Sequence, residues 1–383
     1  GNDKNLRYWW EVSIRVEKWV PYANGGDFRK HFGNEESVID WSPAARDFYA
    51  SNGGLCNPIF WGKEGITWSL ITSAITGFRI KRSISQYSSG SPVIFTEDGK
   101  CDFRALGFLN SRVARYFLTA LNPTINTTVN DVFALPYCRD LVPIAVETNT
   151  KKGVEIAEAD WNSQEFSSGF CSFQLLTNEH RRATIQASFL SHEIAANNAI
   201  DSIRALESES NSLIVEAYGL HNHVSVEVPV EQITLARADR EKDCKRLISY
   251  VIGCMMGRYT PDEPGLIYAH AGNAGFDATR YKTFSADADG IVPITDELWF
   301  EDDATNRVRE FLKVVWGTET VDENMAWLAE SLGKKGNELP EEATRRYLSG
   351  NFYKDHLQTY KKRPIYWHFS SGKQGAFQAL VYL

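Results

Sequence analysis

The residues best suited to chemistry lie between positions 60 and 140, where basic side chains are interspersed with hydroxyl, amide and aromatic groups. Lysine and arginine neutralise the phosphates of nucleic acids, and serine and threonine hydroxyls donate hydrogen bonds to them. Arginine and glutamine can instead pair with base edges in a DNA groove. This combination predicts a surface that binds double-stranded DNA.

The predicted DNA-binding set falls into three groups. The candidates for phosphate contacts are the basic residues Lys63, Lys81, Arg82, Arg112 and Arg115. The candidates for reading base edges are Arg79, Gln86 and Ser88. The remaining members supply hydroxyl groups or aromatic rings beside the groove: Thr67, Trp68, Ser69 and Tyr87. Any single member could be a solvated loop residue, because the same types form turns, so the prediction depends on the cluster.

The charge distribution favours a local binding surface over a general affinity for nucleic acid. The whole chain carries a net charge of −8. Between Phe60 and Asp140, nine basic and six acidic residues leave +3, so the remainder carries −11. A locally basic segment in an acidic protein is typical of a phosphate-binding face, although an imbalance this small could also arise by chance.

Composition indicates a globular protein of two or three domains. The chain has 383 residues, 43% of them hydrophobic. No apolar run approaches the ~18 residues that a membrane span needs, so we expect no membrane partner. The six cysteines form no CxxC pair or zinc-ligand spacing, which is typical of reduced thiols in a cytoplasmic protein. A first residue other than Met and an apolar final segment lead us to expect a piece of a longer protein.

Short strands and one helix are expected to carry the predicted set. The strands are predicted around the alternating residues Val12, Ile14 and Val16 and at 65–69, 77–80 and 92–95. The helix is predicted at about 103–121, where apolar residues recur every three or four positions. A short apolar strand ending at Leu135-Pro136 is predicted to follow a turn.

Beyond about residue 150 the apolar spacing becomes helical. Between Thr184 and Gly219 steps of four and three residues alternate, which predicts either a coiled coil or one long helix of an antiparallel bundle, ended by Gly219. Further helices are predicted at about 239–258, 295–315 and 320–332, with a loop from Gly272 to Gly290.

The motifs for adenine methylation are incomplete. Such enzymes need a glycine-rich loop for S-adenosylmethionine and an Asn/Asp-Pro-Pro-Tyr/Phe tetrapeptide that holds the flipped base. The segment Asn57-Pro58-Ile59-Phe60 lacks the second proline, and fewer than 60 residues precede it, too few for a cofactor-binding sheet. We interpret it as a loop that enters a strand, and we assign no catalytic residue.

Nuclease motifs are also incomplete. Pro261-Asp262-Glu263 lacks the Glu-x-Lys continuation of a PD-(D/E)xK site, and His221-Asn222-His223 has no further ligand at metal-binding spacing. We therefore expect neither a metal site nor cleavage of DNA.

Several segments resemble one family, in the same order along nearly the whole chain. Residues 103–137 resemble the C-terminal part of a DNA target recognition domain. The other matching segments are 25–30, 38–41, 63–69, 106–111, 121–126, 248–259 and 362–367. Together they are similar to the C-terminal half of the PglX family, which comprises the adenine-specific DNA methyltransferases of BREX phage-defence systems.

The resemblance implies the recognition part of an N6-adenine methyltransferase that marks host DNA at a short asymmetric site. In that family S-adenosylmethionine and the catalytic tetrapeptide belong to the N-terminal half, so no cofactor is expected for this chain itself. The implied partners are double-stranded DNA and other BREX subunits, and a DNA-mimicking phage inhibitor is a further candidate.

The expected fold class is α+β. We predict a β-rich target recognition domain at 1–143, a long-helix spacer at 144–235 and a mostly helical C-terminal domain at 236–383. Two alternatives stay open: an acidic helical scaffold for protein partners of a phage-defence complex, and a stand-alone restriction-type nuclease.

Overall fold

The protein forms two compact units in a computed structural model that describes residues 2–12, 17–72, 75–269, 275–297, 299–372 and 377–382. Unit one comprises Gly1–Trp161 and Asn198–Ala236, and unit two comprises Asn162–Asn197 and Arg237–Leu383. Both units combine helices with small sheets, so the predicted α+β class is confirmed. The three-part division at residues 143 and 235 stays a prediction.

Unit one contains two sheets of short strands. The strands are β1 (Leu6–Tyr8), β2 (Trp19–Ala23), β3 (Ser37–Asp40), β4 (Gly65–Trp68), β5 (Phe78–Lys81), β6 (Gln86–Tyr87) and β7 (Val93–Ile94). One sheet has the order β1-β3-β2-β6 and the other β5-β4-β7. The strands predicted at 65–69, 77–80 and 92–95 are confirmed. Ile14 and Val16 lie outside the described residues.

The first part of unit one forms six α-helices among its described residues. They are α1 (Asn2–Asn5), α2 (Pro43–Ser51), α3 (Phe103–Leu109), α4 (Arg112–Leu121), α5 (Val129–Phe133) and α6 (Ile144–Asn162). Four of them, α2 to α5, begin at a residue whose side chain accepts a hydrogen bond from the first turn. The predicted strand before Leu135 is wrong, because a capping box starts a helix there: Thr128 N donates to Asp131 Oδ2 at 2.7 Å, and Asp131 N donates to Thr128 Oγ1 at 3.3 Å.

The helix predicted at 103–121 is two helices, α3 and α4, which meet at Asn110 and Ser111. Ser111 is the N-cap of α4, and its Oγ accepts a hydrogen bond from Ala114 N at 3.1 Å. The apolar periodicity continues across the break because both helices bury their apolar faces in one core. Members of that core include Ile66, Trp68, Phe78, Leu106, Phe108, Val113 and Val146.

The long helix predicted between Thr184 and Gly219 is confirmed as α7, Ile185–Ala217. Gly219 has φ +65°, and Leu220 N donates to Val215 O at 3.0 Å, as expected where a left-handed residue ends a helix. The residues from Asn198 onward belong to unit one, and the earlier ones belong to unit two.

Unit two is mainly helical but also contains a sheet that the sequence analysis did not predict. Its other helices are α8 (Arg240–Met255), α9 (Ala304–Trp316), α10 (Val321–Ser331), α11 (Pro340–Tyr347) and α12 (Tyr353–Thr359). The strands β8 (Ile291–Thr295), β9 (Tyr366–Ser370) and β10 (Phe377–Tyr382) form an antiparallel sheet of order β8-β10-β9. Within the described residues, no helix is both long enough and apolar enough to cross a membrane.

Candidate nucleic-acid interface

A cleft beside α4 in unit one is lined by two of the predicted residues, Arg112 and Arg115, and its volume is about 290 Å³. Its walls come from α4, from the turn that follows α4, from the segment before β5 and from α7. We call it the α4 cleft, defined by the lining residues Lys30, Thr76, Arg112, Arg115, Thr119, Thr124 and Glu207.

The start of α4 is fixed to the sheet and to α7 by side-chain amides. Asn110 Nδ2 donates to Phe78 O at 2.9 Å, and Asn110 Oδ1 accepts from Phe78 N at 3.0 Å. On the other side, Asn211 Oδ1 accepts a hydrogen bond from Arg112 N at 2.9 Å. These bonds determine where Arg112 enters the cleft.

The turn after α4 is held by its own side chains and by a buried tryptophan. Asn122 Oδ1 accepts from Thr124 N at 3.0 Å, and Asn122 Nδ2 donates to Asn126 O at 2.8 Å. Trp68, which is fully buried, donates from Nε1 to Thr127 O at 2.8 Å. The Asn-Pro-Thr segment therefore forms a fixed wall of the cleft.

Arg112 and Arg115 bring two positive charges into the cleft, and both side chains are half-buried. Burial, and next the charge of Arg112, lower the pKa of the Arg115 guanidinium. Arg115 Nη1 is buried and has no hydrogen-bond partner among the described residues. Arg112 Nη1 reaches the neutral Gln232 Oε1 at 3.5 Å. This end of the cleft is therefore electropositive, and its guanidinium N–H groups can donate hydrogen bonds to a ligand.

The opposite wall of the cleft is electrically neutralised. Lys30 Nζ forms an ion pair with Glu207 Oε2, and His31 Nε2 lies 2.9 Å from Glu207 Oε1. Burial by itself raises the pKa of Glu207, but Lys30 and His31 together outweigh it and hold this pKa below its usual range. The charge of Lys30 is therefore already compensated within the protein.

Half of the predicted DNA-binding set lies in the interior of unit one. The buried members are Thr67, Trp68, Ser69, Arg79, Lys81 and Gln86. Thr67 Oγ1 donates to Pro92 O at 2.9 Å, and Ser69 Oγ donates to Gly26 O at 2.9 Å, so both hydroxyls hold loops together. In this structure these six side chains have no access to a duplex.

The basic residues of β5 are buried as well. Lys81 Nζ donates to Lys63 O at 2.8 Å, and burial lowers the pKa of Lys81 to about 8. Burial also lowers the pKa of Arg79 to about 10. Arg79 and Lys81 were predicted to contact DNA, but both faces of β5 are covered in the fold.

The other predicted members lie nearer the surface. Arg82 forms an ion pair with Glu35 through two of its nitrogens, Nε and Nη2. Lys63, Tyr87 and Ser88 are half-buried. Of the twelve predicted residues, the structure brings Arg112 and Arg115 together in one cavity.

The threonines of the cleft were not predicted from the sequence. Thr119 lies four residues after Arg115 and seven after Arg112, which places all three on one helical face. Thr124 belongs to the Asn-Pro-Thr turn, and Thr76 comes just before β5. The helical spacing alone could have indicated Thr119, whereas Thr76 joins the cleft only through the tertiary fold.

S-adenosylmethionine does not fit the described residues. Apart from the two-residue pairing of β2 with β6, the paired strands are antiparallel, whereas the cofactor-binding fold is a parallel sheet with a glycine-rich loop. Asn57 Oδ1 accepts a hydrogen bond from Ile59 N at 3.1 Å. In a complete catalytic tetrapeptide the Asn57 side chain would bind the flipped adenine, but here it caps a short turn.

The nuclease-like motifs also serve local structure. Asp262 Oδ2 accepts hydrogen bonds from Lys282 N at 2.8 Å and Thr283 N at 2.9 Å, and Glu263 pairs with Arg280. In the part of the chain that the structure describes, no group of three or more His, Cys, Asp or Glu side chains could hold a metal ion.

Two curated proteins are similar to this chain over nearly all of its length. The adenine-specific methyltransferase BrxX of Escherichia coli O9:H4 (strain HS) is 36% identical over 416 residues, which cover 100% of this chain and 34% of BrxX. The adenine-specific methyltransferase PglX of Lacticaseibacillus casei (strain Zhang) is 37% identical over 383 residues, which cover 96% of this chain and 31% of PglX.

The chain therefore spans about a third of the length of these relatives. The resemblance that was predicted from scattered sequence segments is confirmed. No known family profile matches the chain.

Proposed function

Because the chain is homologous along nearly its whole length to about a third of the adenine-specific methyltransferases BrxX and PglX, we propose that it recognises double-stranded DNA for a BREX N6-adenine methyltransferase. In this proposal the chain lies within the C-terminal half of such an enzyme and directs it to a short asymmetric site. Binding of S-adenosylmethionine and methyl transfer are assigned to residues outside this chain, since its described residues do not fit that cofactor.

The observation that carries the proposal is the α4 cleft. Among the described residues that line the cleft, no carboxylate forms an ion pair with Arg112 or Arg115, whereas Glu207 neutralises Lys30 on the opposite wall. An electropositive cleft with two guanidinium groups suits the phosphates of a sugar-phosphate backbone. We therefore place the DNA-contacting surface at this cleft rather than at the buried residues of β4, β5 and β6.

The proposed partners follow from the same assignment. They are double-stranded DNA and other subunits of a BREX system in the cytoplasm, and a DNA-mimicking phage protein would compete for the same cleft. An acidic mimic would need to match the charges of Arg112 and Arg115, so its binding should weaken with salt.

Selection from a pool of random duplexes tests the proposed function. The 383-residue chain is incubated with the pool, bound DNA is recovered through several rounds, and the enriched sequences are compared. We expect one short asymmetric motif. Recovery of no DNA, or of DNA without any enriched motif, would contradict sequence-specific recognition by this chain.

A further inference from the structure

We propose that Arg112 and Arg115 together hold a single phosphodiester group at one end of the α4 cleft. The identity of this anion as a DNA phosphate rests on the proposed function. The site itself is inferred from the geometry of the cleft, and it would fix the position of the duplex without reading its sequence.

The two guanidinium groups are placed to share one ligand. Arg112 and Arg115 are three residues apart on α4, so their side chains lie on the same side of the helix, and both line the same cavity. The cavity volume of about 290 Å³ is near the lower end of known small-ligand sites. That space suits one phosphate with part of its sugar.

One nitrogen of each guanidinium lacks a strong acceptor among the described residues. Arg115 Nη1 is buried without a hydrogen-bond partner among the described residues. Arg112 Nη1 makes a single long contact of 3.5 Å with an amide oxygen, that of Gln232. Buried cationic donors without acceptors are unfavourable, and a phosphate supplies charged oxygens that can accept from both guanidinium groups.

The binding groups are the side chains and not the helix terminus. Three amides of the first turn already have acceptors: Arg112 N donates to Asn211 Oδ1, Ala114 N to Ser111 Oγ and Arg115 N to Ser111 O. The neighbouring hydroxyls are engaged too, since Thr119 Oγ1 donates to Arg115 O at 2.9 Å. The guanidinium groups therefore supply the donors for an anion.

Glu207 limits the cleft to one phosphate. Its carboxylate lines the opposite wall and is paired with Lys30 and His31. The Lys30–Glu207 ion pair has no net charge, so a second phosphate at that wall would gain little electrostatic attraction. The electrostatic asymmetry thus places the anion at the α4 end.

The salt dependence of duplex binding tests this site. Affinity for a fluorescent 20-base-pair duplex is measured by anisotropy between about 50 and 200 mM salt, the range over which counterion release dominates. The proteins compared are the wild type, Arg112→Gln, Arg115→Gln and the double variant. Lys152→Gln is the control, because Lys152 is an exposed lysine of α6 outside the cleft.

We expect the double variant to bind at least about tenfold more weakly and to reduce the slope of log affinity against log salt by about 1, the change for one phosphate. The loss should be equal for duplexes of different sequence. Thermal melting of each variant checks that the fold is retained. An unchanged slope, a reduction of about 2, or a loss restricted to one DNA sequence would overturn the site.

A second measurement separates this proposal from the proposed function. Inorganic phosphate, compared with chloride at equal ionic strength, should raise the melting temperature of the wild type but not that of the double variant. If phosphate stabilises the wild type but no duplex binds, the proposed function is contradicted. The anion site would then stand, and its phosphate would come from a ligand other than DNA. Duplex binding with an unchanged slope in the double variant would leave the proposed function standing and overturn the site.

Discussion

Asn110 bonds to both backbone groups of Phe78, one donating and one accepting. Phe78 is fully buried, and Asn110 stands between the last residue of α3 and the N-cap of α4. One side-chain amide therefore ties the break between two helices to the edge of β5. Arg112, two residues further along the chain, depends on this connection for its position in the α4 cleft.

Asn110→Ala should destabilise the protein by about 1–3 kcal/mol, because the buried N–H of Phe78 loses its acceptor, whereas Phe78 O keeps the hydrogen bond from His31 N at 2.8 Å. Urea unfolding of the variant and the wild type measures the change. Asn130→Ala, at an exposed position of α5, is the matched control and should change the free energy of unfolding by less than about 0.5 kcal/mol. Equal stability of Asn110→Ala and the wild type would show that this bond does not fix the break.

Glu207→Gln should destabilise the protein by about 3–5 kcal/mol at neutral pH, because it leaves Lys30 buried without a counter-charge. The effect should depend on pH. The pKa of Glu207 is lower in the folded protein than in the unfolded chain, so its carboxylate stabilises the fold above about pH 4.5 and this stabilisation is lost as the pH falls further. Urea unfolding at several pH values should therefore show the difference between variant and wild type shrinking in acid.

The control for this variant is Glu216→Gln on the same helix. Glu216 is largely exposed and pairs only with His221, which is exposed as well. We expect a change of at most about 1 kcal/mol there. A difference at Glu207 that stays constant from pH 7 to pH 3 would contradict the assigned ion pair.

His356 should make unit two sensitive to acid. It is buried, and its Nε2 accepts hydrogen bonds from Ile365 N at 3.1 Å and Tyr366 N at 3.3 Å. Burial, and next the charge of Arg258, lower the pKa of His356 to about 3. An unfolded histidine has a pKa of about 6.5, so only the unfolded chain gains a proton between these values and stability falls as the pH is lowered through this window.

The expected loss from His356 is about 2 kcal/mol between pH 7.5 and pH 5. His356→Gln keeps an acceptor for the two amides but cannot titrate, so its free energy of unfolding should vary less with pH than that of the wild type. His223→Gln, at an exposed loop position, should leave the wild-type pH dependence unchanged. Parallel pH profiles for His356→Gln and the wild type would contradict the prediction.

Elements with long, regular apolar spacing were predictable from the sequence. The helices α7 and α8 were predicted within a few residues, because each buries one continuous stripe. The buried stripe of α8 includes Leu247, Ile248, Val251, Ile252 and Met255. The family resemblance was also predictable, since it depends on the order of many short segments.

The contact surface was predictable only in part. Residue type cannot show that Arg79 and Lys81 lie in a strand covered on both faces, because that cover comes from segments distant in the sequence. Nor can spacing show the break at Asn110, which depends on a tertiary bond to Phe78. Arg112 and Arg115 stayed in the candidate site because helical periodicity placed them off the apolar face of α4.

Hydrogen–deuterium exchange of the full chain, with and without a saturating duplex that carries the selected motif, tests the location of the DNA-contacting surface most directly. We predict slower exchange in peptides that cover residues 110–128, where α4 and the following turn form the cleft, and weaker slowing at the same duplex concentration in Arg112→Gln/Arg115→Gln. Saturating DNA binding with unchanged exchange in residues 110–128 would contradict recognition through the α4 cleft.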